Sequence, residues 1–327
     1  MTSSRAAEVI LVGEPLVALL AVGSAPLADV ESFSRHVAGA EANVAVGLAR
    51  LGHRTLFVGR VGADGFGRAI VRRLRGEEVD VFGVVVDPER RTGLLLRERR
   101  TLGPSEVLYY RAGSAGSALG PPDVEAIASA FPGARWLHLT GITPALSNGA
   151  HEAVLRAIEL ARANDVRISF DVNLRRRLWA DEEAAECLRP IAGWADLVLG
   201  DPDELAVVAG VARSPDGLEA ARTLRAGGSG TVVVKRGPAG ATLVGDGDPV
   251  DAPAVPVASV VDPVGAGDAF CAGYLAALLE DVDAPIALRW ANGCAAAALS
   301  AEGDLVGLPT RVELERLIGG NDTDTIR

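Results

Sequence analysis

Aromatic residues make up only 4% of this 327-residue chain, and methionine occurs once. Its interior must therefore be assembled from alanine, valine and leucine, which the 49% apolar content supplies in quantity. Cysteine is scarce too. Cys187, Cys271 and Cys294 are odd in number, far apart and form no CxxC pair. That excludes a disulfide framework and a cysteine zinc site, and it fits a reducing cytoplasm. Basic residues are outnumbered, 32 Lys and Arg against 43 Asp and Glu, for a net charge of -11. A nucleic-acid backbone repels a chain so acidic, whereas a few placed arginines still permit an anionic small substrate. The longest apolar runs reach about half of the ~20 residues of a membrane span. Glu8, Glu14 and Pro15 break up the apolar start, which excludes a signal peptide. No membrane and no nucleic-acid partner is expected.

Two nucleotide motifs are also missing. There is no G-x-x-x-x-G-K-[ST], so P-loop phosphate binding is excluded. GRVGADGFG, residues 59 to 67, does not fit G-x-G-x-x-G and reads as a structural turn from strand to helix.

What is present is alternation. From about residue 120, ARWLHLT, VRISFDV, ADLVLG and TVVVKRG read as strands separated by helical stretches. This predicts βαβ units, a mostly parallel sheet with helices on both faces, and a three-layer α/β domain. Ligands in such folds bind beyond the carboxyl ends of the strands. That places Thr140-Gly141, Asp171 to Arg175, Asp201, Lys235 to Gly240 and Gly265 to Asp268 at the site. In the first third, TGLLLRER and EVLYYRAG form a hairpin joined by RTLGPS. EVILVG, LVALLAVG and SFSRHVAG are expected to add strands, and residues 14–38 and 91–113 together make a small β-lid. The length suits one such domain over 1–327. The terminal NDTDTIR reads as a frayed tail.

VDPVGAGDAF, residues 261 to 270, carries the sharpest chemical signal. Unpaired N–H groups at a helix start bind anions, and glycines let a phosphate approach the main chain. Asp268 behind that turn has two readings. It caps the helix, as aspartate often does, or it takes a proton from a hydroxyl that attacks a phosphoryl group. VVVKRGPAGA, residues 232 to 241, places Lys235 before a glycine turn, a pattern that ordinary hairpins share.

AGAEANVAVGLARLG with GRVGADGFG, and VDPVGAGDAFCAGYLAALL, resemble the two signatures of the ribokinase-like (PfkB) sugar kinases, over nearly the whole chain. GEPLVAL, VLYYRAGSAGSAL, LHLTGITPALS and FDVNLRRRLW resemble the branch that phosphorylates 2-keto-3-deoxygluconate. The resemblance implies a ribokinase-like fold, MgATP as donor, a small sugar acid as acceptor, and a homo-oligomer. It implies Asp268 as the base, and Gly265, Ala266 and Gly267 as the anion hole. It matches Lys235, Gly237, Gly240 and Asn292 to the nucleotide side. It matches Gly39, Ala40, Glu41, Ala42, Asn43, Tyr109, Arg111, Arg175 and Asp304 to the sugar side. Arginine suits a substrate carboxylate because it forms two parallel hydrogen bonds. Asn292 has an alternative, a helix–helix hydrogen bond. Arg176 and Arg177 read as a solvated basic corner.

The chain departs from the family in three places. Asp201-Pro-Asp-Glu204 replaces N-x-x-E, which leaves Glu204 as an indirect metal ligand. Leu95 stands where the branch can carry a tyrosine, and Ala38 replaces the first of two glycines. The four histidines and the helical cysteines read as structural. The implied reaction converts 2-keto-3-deoxygluconate and ATP to the 6-phosphate and ADP. Rival readings are a fructokinase- or ribokinase-like enzyme, a non-catalytic PfkB-like regulator, and, more distantly, a dinucleotide-binding oxidoreductase.

Overall fold

The computed structural model describes residues 6–99 and 106–319. Its strands are β1 (Val9–Val12), β2 (Leu16–Ala21), β3 (Phe33–Ala38), β4 (Thr55–Gly62), β5 (Asp80–Asp87), β6 (Leu94–Arg97), β7 (Val107–Tyr110), β8 (Trp136–Thr140), β9 (Arg167–Asp171), β10 (Leu197–Gly200), β11 (Thr231–Lys235), β12 (Ala241–Val244) and β13 (Val250–Ala252). The helices are α1 (Ala40–Arg50), α2 (Gly65–Gly76), α3 (Pro121–Glu125), α4 (Asn148–Ala163), α5 (Asp181–Trp194), α6 (Pro202–Ala209), α7 (Leu218–Ala226), α8 (Ala266–Leu279), α9 (Ala284–Ala298) and α10 (Arg311–Gly319).

Nine strands form one sheet in the order β13-β12-β11-β10-β9-β8-β1-β4-β5, parallel except at β12 and β13. Along β1, Val9 and Leu11 enter one core while Ile10 and Val12 enter the other. This is the period of two expected of a strand buried on both faces. The first core lies under α1, α2, α8, α9 and α10, and the second under α4, α5, α6 and α7. The three-layer arrangement follows directly from that alternation.

The small sheet runs β3-β2-β6-β7 and stays within residues 14–38 and 91–113. Its β2 and β6 pair in parallel, so it is mixed rather than a plain meander. One face, with Val17 and Val37, packs into the first core. The other carries Leu16, Ala18, Leu20 and Ala38, with Leu95 against them. EVILVG does not join this sheet. It is β1, between β8 and β4 of the large sheet, because an unbroken apolar run suits two-sided burial better than a lid does. The RTLGPS turn and the NDTDTIR tail lie outside the described residues. Among the described residues, no helix is long and apolar enough to cross a membrane.

Candidate active site

The carboxyl ends of β1, β8, β9 and β11 and the amino end of α8 face one another. Gly265 begins α8 as its cap residue with φ 80, a left-handed conformation that favours glycine. No side chain caps this helix, so Asp268 is not a cap. Among the described residues, the amides of Gly267 and Asp268 have no backbone acceptor, as helix geometry requires of a first turn.

Asp268 instead points into the site. Asn43 Nδ2 donates to its Oδ2 at 2.7 Å, and Asn173 Nδ2 to its Oδ1 at 3.3 Å. The same Asn43 amide donates to Asp304 Oδ2 at 3.1 Å. Burial pushes the Asp268 carboxyl up to about 7; Asn43 opposes the rise, Asp171 adds to it, Arg175 opposes it and Asp304 adds. Burial also raises Asp304, against the Asn43 hydrogen bond and Arg97. Asn43 Oδ1 is buried and, among the described residues, accepts no hydrogen bond, which leaves an acceptor open.

Lys235 leaves the end of β11 and pairs with Asp171, Nζ to Oδ1 at 2.7 Å. Burial alone would lower this ammonium, but Asp171, Cys271 and Glu204 raise it well above its ordinary value. A Cβ built on Gly267 would lie 3.7 Å from Lys235 Nζ, an ordinary contact, so the lysine sits at the glycine turn of α8. Gly237 has φ 53 and open space around it, whereas a Cβ on Gly240 would collide with the Ala252 carbonyl. Gly240 therefore serves the hairpin, and Gly237, in open space, is favoured by its left-handed φ. Asn292 Nδ2 donates to Pro253 O at 3.0 Å and Ala252 O at 3.4 Å. It anchors the loop after β13 instead of joining two helices.

On the sugar side the structure redistributes the expected roles. Ala42 is fully buried in the first core and offers no side chain to the site. Glu41 turns inward, accepting from Thr140 Oγ1 at 2.7 Å and Thr143 Oγ1 at 2.6 Å. Burial raises its pKa against those two bonds. It ties the start of α1 to the end of β8. Gly39 has φ 131, and Cβ there would lie 2.5 Å from Glu14 O, so glycine is obligatory. Ala38, in extended β3, meets no such demand.

Arg111 is not free. Its Nε donates to Glu14 Oε2 at 2.7 Å, a terminal nitrogen pairs with the same oxygen, and Ser114 Oγ donates to Glu14 Oε1 at 2.7 Å. Its Cζ lies 5.6 Å from the Tyr109 ring centroid. Tyr109 pairs across the small sheet with Leu95, so the two side chains share a face. Arg175 is exposed and forms no ion pair among the described residues, yet it lowers the Asp268 pKa from nearby. Of its neighbours, Arg176 pairs with Asp181, while Arg177 reaches the carbonyl of Val107 in β7. The basic corner is thus partly a tether to the small sheet.

Within the stretch from Asp171 to Arg175, expected at the site as a whole, the sequence assigns no individual role to Asp171 or Asn173, and it assigns none at the site to Arg97 or Cys271. Asp171, Asn173 and Arg175 share one D-x-N-x-R stretch, and Asn173 adopts φ 38 with its amide donating to Asp268. Cys271, expected only as packing, donates to Asp171 Oδ2 at 3.4 Å. Arg97 in β6 pairs with buried Asp262, and Arg99 with Glu302 at 2.7 Å, which fastens the small sheet to the loops flanking α8 and α9.

Asp201 and Glu204 form a capping box at α6: Asp201 Oδ1 accepts from Glu204 N at 2.8 Å and Glu204 Oε2 from Asp201 N at 2.9 Å. Aspartate caps as well as asparagine, which explains the departure from N-x-x-E. Glu204 Oε1 accepts from Leu174 N at 2.9 Å. Burial raises Glu204, against Lys235. No group of three His, Cys, Asp or Glu among the described residues is placed to hold a metal ion. Mg2+ arriving with nucleotide phosphates and its own waters needs only one or two protein carboxylates. Glu204 fits that need through water, since each of its oxygens keeps a further lone pair.

The pfkB family carbohydrate kinase pattern matches residues 7–311. The 2-dehydro-3-deoxygluconokinase of Thermoproteus tenax is 41% identical over 313 residues, covering 94% of this chain and 93% of that protein. The protein of the same name from Bacillus subtilis (strain 168) is 36% identical, with 95% of each chain covered. The crystal structure of a putative ribokinase II from E. coli in complex with ATP and Mg2+ superposes with a TM-score of 0.89 at 27% identity, covering 96% of this chain and 100% of that one.

Proposed function

The chain belongs to the pfkB family of carbohydrate kinases, a family of phosphotransferases, and from that premise we propose that it phosphorylates 2-keto-3-deoxygluconate at its terminal hydroxyl with ATP. The observation that carries this reading is the buried Asp268 carboxylate beside the open first turn of α8, with Lys235 on one side and unpaired Arg175 on the other. Two relatives bearing the name of that kinase support the choice of sugar.

In this reading Asp268 accepts the proton of the attacking hydroxyl. A primary hydroxyl does not ionise beforehand near neutrality, so the base acts as transfer proceeds. Asn43 and Asn173 hold the carboxylate through one oxygen each and fix its direction. The amides of Gly267 and Asp268 and the Lys235 ammonium face the incoming phosphoryl group and oppose its charge. Mg2+, when bound with the nucleotide, would neutralise phosphate charge, with Glu204 orienting its water. Arg175 grips the substrate carboxylate, and Tyr109 and Leu95 close over the sugar from the lid.

The Glu14–Arg111 pair favours a second reading, a kinase of a neutral sugar, because it leaves one free arginine where two were expected. ADP release across a panel of sugar acids and neutral sugars decides between them. A preference for fructose or ribose would overturn the sugar-acid reading and leave the family assignment standing. The edges of β3 and β7 support pairing of two lids in a homo-oligomer, and the free cysteines support a cytoplasmic setting.

A further inference from the structure

On the other side of the small sheet lies a cavity of about 370 Å³, walled by β3, the end of α2 and the loop after Asp304. None of the residues that line it belongs to the active site described above. Arg35 of β3 and Arg72 and Arg73 of α2 face it together. In a chain of net charge -11, that concentration of guanidinium groups is a local reversal of sign.

Their partners decide what the cavity can hold. Its carboxylate, Glu77, is already taken: Arg50 grips it with two bonds of 2.8 Å, and Arg73 lies 2.6 Å from it. Arg35 and Arg72 form no ion pair among the described residues. Val37 and Leu305 supply an apolar wall beside the charges. Two open guanidinium forks from different elements suit a dianion better than a single carboxylate. The volume falls within the range of small-molecule sites.

We propose that this cavity binds the phosphomonoester of a small carbohydrate and is coupled to the active site through Arg50. The phosphate sits between Arg35 and Arg72, and the carbon chain covers Val37 and Leu305. Arg50 is the last residue of α1, the helix that carries Asn43. While gripping Glu77, it also donates to Leu305 O at 2.8 Å and Leu308 O at 2.6 Å. Leu305 follows Asp304, which shares the Asn43 amide with Asp268. A ligand that draws Arg73 from Glu77 therefore perturbs Arg50, which ties the end of α1 to the loop after Asp304. The site stands independently of which sugar the active centre accepts.

Titration calorimetry with glucose 6-phosphate tests it on the full chain. Arg35→Gln/Arg72→Gln is expected to weaken binding tenfold or more, about the loss of two charge-assisted forks. Both residues are exposed and unpaired, so an unchanged melting temperature is the control for folding. Lys235→Gln/Arg175→Ala, which disables the active site, is expected to leave this binding in place. Inorganic phosphate is expected to bind more weakly at the same arginines, and equal binding would remove the carbohydrate from the proposal. At saturation the sugar phosphate is expected to shift the KM for the sugar acceptor severalfold in the unmodified enzyme and leave the Arg35/Arg72 variant unmoved. No binding up to about 10 mM, binding that depends on Lys235 and Arg175 instead, or an unmoved KM overturns it.

Discussion

Asn43 Nδ2 stands 2.7 Å from Asp268 Oδ2 and, by the same nitrogen, holds Asp304. One amide thus keeps two buried carboxyls together that would otherwise repel, and it leaves its own oxygen open toward the site. The Asp268 carboxyl is consequently poised near neutrality by burial rather than spent as a helix cap.

Asp268→Asn is expected to cost at least ~100-fold in kcat, the usual range for losing a general base. The fold should survive and gain. A carboxyl whose folded pKa stands above its unfolded one costs stability as pH rises from the ordinary carboxylate range to about 7, and no further above it. The variant's melting temperature should therefore exceed that of the parent, by more at pH 8 than at pH 5. An early-melting variant with normal turnover would return Asp268 to a structural role.

The same shift predicts the pH profile. The base works only when ionised, so kcat/KM should climb tenfold per unit below about pH 7 and level off above it. Asp171 is one of the groups that raise Asp268. Asp171→Asn should accordingly move the acidic limb downward. It also strands the half-buried Lys235 ammonium, at a cost of about 3–5 kcal/mol. A limb that stays in place while the protein loosens would show that Asp171 supports structure alone.

Much of this architecture was legible. Apolar runs such as VVVKRG and ADLVLG alternate with helical stretches, and the burial alternation along β1 confirms why that pattern means a two-sided sheet. EVILVG misled because short apolar runs carry no mark of which sheet they join. The strand-end rule pointed to the stretch from Asp171 to Arg175 and the resemblance to Arg175, yet the hydrogen bond from Asn173 to Asp268 depends on a positive φ that no sequence pattern announces. Arg97 and Asp262 are 165 residues apart, and no local pattern announces such a pair. Glu14 hid in an apolar stretch next to Pro15, where nothing signals that it claims Arg111.

The proposed grip of Arg175 on the substrate carboxylate predicts that it separates acids from neutral sugars. Arg175→Lys keeps the charge and loses the fork, so it should already raise KM for the sugar acid. Arg175→Ala should lose about 2–5 kcal/mol of binding to the acid, with far less effect on fructose or ribose. Because the side chain is exposed and unpaired, stability should not change. Equal losses on acid and neutral sugars would place the carboxylate elsewhere.

Leu95 and Tyr109 pair across β6 and β7 on one face of the small sheet, the face proposed to close over the sugar. A leucine cannot hydrogen-bond a hydroxyl, and apolar contact discriminates only about ten- to a hundredfold. Measurable activity on 2-keto-3-deoxygalactonate is expected, and Leu95→Tyr should sharpen the choice between C4 epimers. Parallel kcat/KM values for both acids check it, and complete rejection of the galacto acid by the parent enzyme would end the idea.

Gly267 has no steric reason to be glycine. An alanine methyl there would meet nothing closer than Lys235 Nζ at 3.7 Å, and alanine is the better helix former of the two. A sequence chosen only to stabilise this backbone would fill the position. The chain forgoes that gain, which fits the proposed approach of a phosphoryl group to this turn. Gly240, pressed against the Ala252 carbonyl, is glycine because the fold demands it. The two glycines look alike in sequence, yet one is demanded by the polypeptide and the other, in the proposed reaction, by what approaches it.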